Sequence, residues 1–153
     1  MKPRVLHVIT KLDLGGAESV AIDLVGALHE SVDFAVYGVM ALDAPTRVGR
    51  DMADRLARWK VPFFAGATGH FKKGGVLVSA WRLARAVAKF RADVVHLHTE
   101  MPELTYAIAT VLSPRLRNVQ VLRTVHNCEL WIDWAGTGRR VTQRLAGSTA
   151  LAG

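Results

Sequence analysis

The chain has 153 residues, half of them apolar, which is a single domain's length with room for an ordinary core. A lone cysteine, Cys128, excludes an internal disulfide framework, reads most simply as a small half-buried apolar residue, and points to a reducing, cytoplasmic setting. The formal net charge of +7 calls for an anionic partner, yet no apolar stretch approaches the roughly 18 residues of a spanning helix, and the first residues are too short an apolar run for a signal peptide.

Arg4 to Ile9 is an apolar run, and TKLDLGGAES leads from it to Ala17, Val20, Ala21, Leu24 and Leu28 at three- and four-residue spacings. That pattern is strand, loop and amphipathic helix, the opening of an α/β domain. Val32 to Met40 is a second strand, apolar enough to be buried on both faces as parallel strands are. After a proline-containing loop, Met52, Leu56 and Trp59 mark a short helix over Asp51 to Trp59, with Arg50, Asp54, Arg55 and Arg58 toward water. Val61 to Phe64 is a short third strand, and GATGHFKKGG a long, weakly specified loop. Leu77, Trp81, Ala84, Val87 and Ala88 mark a helix from about Val76 to Phe90. A fourth strand starts at Asp93 and carries VVHLH. The next helix, Glu103 to Leu112, turns Leu104, Ala107, Ile108 and Val111 inward and is closed by Ser113 and Pro114. Val119 to Val125 is the fifth strand, and the remainder reads as a loop and an incomplete helix. Strands and helices that alternate in this way predict a doubly wound parallel sheet, Rossmann-like, formed by one domain.

Such a sheet binds ligands outside the carboxyl ends of its strands, and five candidate residues share that address: Gly15, Gly16, His98, Glu100 and His126. Gly15 and Gly16 sit where the first loop meets the first helix. With no Cβ they let a phosphate reach the backbone N–H groups that the first helical turn leaves unpaired, or they simply make a tight turn. In the fourth strand the period of two puts His96 and His98 on one face. A His-x-His pair is either two hydrogen-bonded core residues or two metal ligands. The first is favoured, above all for His96, because no third ligand has characteristic spacing.

RVLHVITKLDLGGAESVAIDL, DVVHLHTE and VLRTVHN, in this order and at this separation, resemble the amino-terminal domain of the retaining glycosyltransferases of family four, which have the two-domain GT-B architecture. The resemblance spans Arg4 to about Asn127. It implies that Gly15 and Gly16 approach the diphosphate of a nucleotide-sugar donor, that His98 acts beside the transferred sugar, and that His126 lines the same cleft, with Glu100 a candidate for orienting the acceptor. It implies no cofactor and no metal, the nucleotide-sugar being a co-substrate, and a glycan, lipid-linked or small-molecule acceptor. Family members carry a second, nucleotide-gripping domain that this chain lacks. The sequence therefore reads as a fragment that stops inside the helix before a sixth strand, holds at most half a donor site and is inactive alone.

Other classes fit less well. A non-catalytic nucleotide-binding or regulatory module would use the same strand, glycine and helix device. A dinucleotide oxidoreductase is disfavoured because LGGAES lacks the G-x-G-x-x-G spacing. Nucleic acid is not an expected partner, since no recognised binding motif is visible. That stretch, from Gly66 to Ala92, holds Lys72, Lys73, Arg82, Arg85, Lys89 and Arg91 and no acidic residue. Arg82, Arg85 and Lys89 share one helix face, which is either a solvated face or, with Lys72 and Lys73, a contact for an anionic membrane surface at the inner leaflet.

Overall fold

The structure, a computed structural model, describes residues 1–68, 73–124, 131, 134–146 and 149–152. The strands β1 (Arg4–Ile9), β2 (Asp33–Ala41), β3 (Phe63–Thr68), β4 (Val94–His98), β5 (Gln120–Thr124) and β6 (Thr149–Ala152) form one parallel sheet in the order β3-β2-β1-β4-β5-β6. They are joined through α1 (Gly16–Leu28), α2 (Arg47–Arg58), α3 (Gly75–Phe90), α4 (Glu100–Leu112) and α5 (Ala135–Leu145). This is the doubly wound sheet expected from the alternation. The chain steps outward from β1 to β3, then α3 carries it back to lay β4 on the other side of β1, with Leu6 opposite Val95 and His7 opposite His96.

Because side chains alternate along a strand, β1 serves two layers. Leu6 and Val8 point with Tyr37, Val39, Val95 and Leu97 toward Leu83, Tyr106, Val141 and Leu145 of α3, α4 and α5. Ile9, Phe34 and Val36 point the other way, into a second cluster with Ala21, Ile22 and Val25 of α1 and Met52 and Leu56 of α2. Both faces are thereby covered, which is why the strands read as nearly continuous apolar runs.

Several expectations are corrected. A sixth strand is present: residues 149–152 pair in parallel with β5, with Thr149 opposite Val121 and Ala152 opposite Thr124. Thr-Ala-Leu-Ala has little strand character of its own, so only the free edge of β5 makes it a strand. β3 runs on to Thr68 and takes in Gly66, where a Cβ would collide with the Val39 carbonyl and the Ser79 hydroxyl. That glycine is a close-packing position, not part of a loop. α2 starts at Arg47, because the Thr46 hydroxyl caps it by accepting from the Gly49 N–H at 3.0 Å. α4 starts at Glu100, with Pro102 in its first turn, where a missing N–H costs nothing.

The inward faces of three helices are also rotated from the apolar stripes read in the sequence. α1 buries Ala17, Glu18, Ala21, Ile22 and Val25 and leaves Val20 and Leu28 exposed. α3 buries Ser79, Ala80, Leu83, Ala86 and Val87 and turns Leu77 and Trp81 outward. α4 buries Glu103, Tyr106 and Thr110 and exposes Val111. Polar anchors choose these faces. The Tyr37 hydroxyl donates to the Ser79 carbonyl at 2.7 Å, and the Ser79 hydroxyl to the Val39 carbonyl at 2.6 Å, fastening the small-residue side of α3 to β2. On α4, Tyr106 donates to the Leu116 carbonyl at 2.8 Å, and Glu103 accepts two hydrogen bonds from Arg123 of β5 at 2.6 and 2.7 Å.

Candidate functional site

The sheet order reverses between β1 and β4, and in doubly wound folds the crevice at that point is where ligands bind. A cavity of about 520 Å³ opens there, lined by Thr10, Gly16, Glu18, Thr99, Glu100 and Met101 among others. Two helices begin at it. α1 starts from Gly15, which is extended at φ −179, and α4 from Thr99. Neither start carries a side-chain cap hydrogen bond, so backbone N–H groups at both starts are left for another partner. Each helix start also carries roughly half a positive charge from the aligned peptide dipoles.

Gly15 and Gly16 differ. A Cβ at Gly16 would meet nothing within 4 Å, so its side toward the cavity is open. A Cβ at Gly15 would collide with the Glu18 carboxylate, which folds back from the third helical position over the helix start. The anion that this helix currently faces is its own side chain. Glu100, in the first turn of α4, lines the cavity across from Gly16.

Thr10 and Thr99 are site residues that the sequence reading missed. Thr99 holds φ +83 and ψ 173, a strained conformation for a β-branched residue, and its hydroxyl lies 3.2 Å from that of Thr10. The contact joins the ends of β1 and β4 on the floor of the cavity. Its only sequence signal is a hydroxyl residue just after each of two adjacent strands.

His98 and His96 do share a face, as the period of two requires, and His98 is completely buried and not among the described residues that line the cavity. Its neighbour, unseen in the sequence pattern, is His7 of β1, whose Nδ1 is 2.8 Å from His98 Nε2. His96 Nε2 bonds the Thr124 hydroxyl at 2.6 Å, in keeping with a structural role. Burial pushes the His7 imidazole down to about 3, with His96 adding to the effect, so it is neutral at physiological pH. Ring nitrogens of the three histidines lie within 4.8 Å of one another, so His7 supplies the third imidazole that the spacing lacked, and these would be the ligands of any metal held there. His7 and His98 meet edge to edge through that hydrogen bond, with ring centres 5.1 Å apart, and the His96 ring lies tilted at 34° and 4.0 Å from that of His98. His126 lies outside the described residues.

The chain matches the model of Glycosyltransferase Family 4 over residues 14–150. No curated protein matches it significantly. Among solved structures, Anabaena HepE in complex with UDP and glucose is similar at a TM-score of 0.65 and 16% identity, covering 97% of this chain and 37% of that one. A glycosyltransferase from Rickettsia africae follows at 0.62 and 13%, covering 98% and 42%. A putative UDP-N-acetylglucosamine 2-epimerase from Listeria monocytogenes has 0.61 and 14%, covering 93% and 37%. The chain thus spans about two fifths of the length of these structures, with which it shares the fold. With the family model covering most of its length, the chain belongs to Glycosyltransferase Family 4.

Proposed function

We propose that this chain forms one wall of the cleft in which a glycosyltransferase moves a sugar from a nucleotide-sugar donor to an acceptor hydroxyl. The observation that carries the reading is the convergence of two helix starts without side-chain caps on a single cavity at the switch point of the sheet. In the transfer, the bond from the sugar's anomeric carbon to the diphosphate breaks with both electrons leaving on phosphate, a bond from the acceptor oxygen forms, and the acceptor hydroxyl's proton passes to the departing diphosphate. Preorganised donors at the phosphate are what such a step requires. The open side of Gly16, with Gly15, takes the diphosphate. Glu100 accepts hydrogen bonds from sugar or acceptor hydroxyls, and its charge keeps phosphate on the Gly16 side. His98, through its bond to His7, holds the β4 end from which Thr99 projects, beside the place expected for the transferred sugar. His126 belongs to the same cleft by family resemblance. The opposite wall, which completes charge neutralisation, is expected from a second domain. HepE was solved with UDP and glucose, which makes a uridine nucleotide the first donor to try.

The test is titration of the isotope-labelled chain with UDP while the backbone amides of Gly16 and Ala17 are followed by NMR. Saturable shifts there, weakened at least tenfold by Gly16→Val in a folded variant, are expected. Absence of shifts, or equal shifts in the variant, would reduce the glycine pair to a tight turn. The same shifts would come from a non-catalytic nucleotide-binding module, and the epimerase shows the fold in another class of protein. Release of glucose from UDP-glucose separates the two.

The outer face of α3 is proposed to be the contact with an anionic membrane surface. Leu77, Val78 and Trp81 are exposed there beside Arg82, Arg85 and Lys89, with the Arg85 guanidinium 4.8 Å from the Trp81 ring centre. Apolar and basic side chains on one surface are what an interfacial helix presents to lipid. Lys73 is exposed just before the helix, and Lys72 lies outside the described residues. No helix among the described residues is long and apolar enough to cross a membrane.

A further inference from the structure

A groove of about 720 Å³ runs between α3 and the edge strand β3, and it shares no lining residue with the cavity proposed for the donor. Its floor is apolar: Phe64 and Ala65 of β3, Ala86 of α3, and the ring of Tyr37, whose hydroxyl is already engaged by Ser79. Its charged lining residues are Arg82, Arg85 and Lys89, all positive and all exposed. Among the described residues none of the three is paired with a carboxylate, and the stretch from Gly66 to Ala92 contains no acidic residue to offer. The three cations are nevertheless held in place. Arg82 donates to the Gly66 carbonyl at 2.6 Å, the Arg85 guanidinium lies 4.8 Å from the Trp81 ring centre, and Lys89 Nζ lies 5.7 Å from the Phe64 ring centre. Side chains fixed in this way lose little further freedom when an anion arrives.

Arg82 and Arg85 are three residues apart, about 4.5 Å along the helix axis, so two guanidinium forks can close on one phosphate while Lys89 adds charge a turn farther on. A bare inorganic anion would leave the apolar floor and the half-exposed Trp81 ring uncovered, and a purely apolar molecule would leave three cations unmatched. One molecule with both characters satisfies the whole groove. We infer that the groove between α3 and β3 binds a phosphate monoester that carries an apolar body, the phosphate on Arg82 and Arg85 and the body against Trp81 and Phe64. A monoester fits better than a diester because it brings up to two negative charges and three acceptor oxygens to the two forks. A soluble phosphorylated compound and a lipid with a terminal phosphate present the same chemistry. The inference goes beyond the membrane contact proposed for this face, which needs only diffuse charge.

The test titrates the chain with phenyl phosphate, inorganic phosphate and phenyl sulfate while the Trp81 indole N–H and the Arg82 and Arg85 Nε–H signals are followed by NMR. Phenyl phosphate should shift all three saturably and bind at least tenfold more tightly than inorganic phosphate, which lacks the body, or phenyl sulfate, which lacks the second charge. Arg85→Gln, an exposed change to a good helix former, should keep the fold and weaken phenyl phosphate at least tenfold. Trp81→Ala should weaken phenyl phosphate but not inorganic phosphate, separating the two halves of the site. No saturable shift, equal affinity for the three probes, equal affinity in Arg85→Gln, or shifts confined to Gly16 would overturn the inference and leave the membrane and donor readings standing. Competition then identifies the source. Vesicles with phosphatidic acid that displace phenyl phosphate better than phosphatidylglycerol vesicles of equal surface potential assign the site to a lipid phosphate. Binding of phenyl phosphate that neither vesicle displaces assigns it to a soluble ester, and equal displacement by both would overturn the preference for a monoester.

Discussion

Glu18 and His7 show how single residues at this edge trade stability against binding. The Glu18 carboxylate folds over Gly15 at the start of α1, where a negative charge is favoured by the helix dipole but competes with any diphosphate brought to the same N–H groups. Glu18→Gln is therefore expected to tighten UDP several-fold while lowering thermal stability slightly, and calorimetry with a melting curve checks both. Looser UDP binding in the variant would mean that the carboxylate helps the ligand. His7 is buried and neutral, with its proton affinity lowered to about 3. The unfolded chain takes up a proton as pH falls through about 6.5, and the folded chain does not until about 3. The stability that His7 contributes is thus full above about pH 6.5 and erodes by about 1.4 kcal/mol per pH unit on acidification. Urea unfolding at about pH 7.5, 6 and 5 should show a shallower loss for His7→Gln than for the parent. Equal slopes would show that the proton goes elsewhere.

Among the elements, α4 depends most on polar packing. Its Glu103 and the Arg123 of β5 are 1% and 6% exposed and make two short parallel hydrogen bonds. Such a pair holds geometry at a high desolvation cost, so breaking it on one side is worse than removing both partners. Glu103→Gln should leave a buried guanidinium without its counter-charge and destabilise the fold by about 3 to 5 kcal/mol. The double variant with Glu103→Leu and Arg123→Met should lose less than the two single changes together. Chemical denaturation of all four proteins measures it, and strict additivity would show the pair to be uncoupled. Because α4 begins at Glu100, just after Thr99, the same bond keeps the second helix start aimed at the cavity.

At the scale of the whole molecule, charge and ligand edge are separated. The cavity proposed for the donor opens at the carboxyl ends of the strands, whereas Arg82, Arg85 and Lys89 lie along the outer face of α3, beside edge strand β3. If that face meets lipid, co-sedimentation with anionic vesicles should be clear at low salt, fall as salt rises, and be absent with neutral vesicles, each engaged basic residue contributing about 1 kcal/mol. Changing Arg82, Arg85 and Lys89 together to Gln should abolish it, and Trp81→Ala should weaken it at every salt concentration. Equal sedimentation with both lipids, or no effect of the triple change, would leave a solvated helix face.

The sequence by itself determined the fold class and the family. Apolar runs such as Arg4 to Ile9 and the three- and four-residue spacings of the helices are local consequences of burial on a sheet with two covered faces, and the LGGAES turn is local as well. It also placed Gly16 and Glu100 at one edge, where the structure puts them across one cavity. What it did not determine are the outcomes of contacts between distant segments. β6 exists because β5 has a free edge, and the inward faces of α3 and α4 follow Ser79, Tyr106 and Glu103, whose hydrogen bonds leave no trace in hydrophobic periodicity. His98 meets His7, 91 residues away in the chain, and Thr10 meets Thr99, 89 away. Only parallel pairing of β1 with β4 brings those side chains together, because a strand's own sequence specifies which face a residue takes but not which neighbour it will meet there.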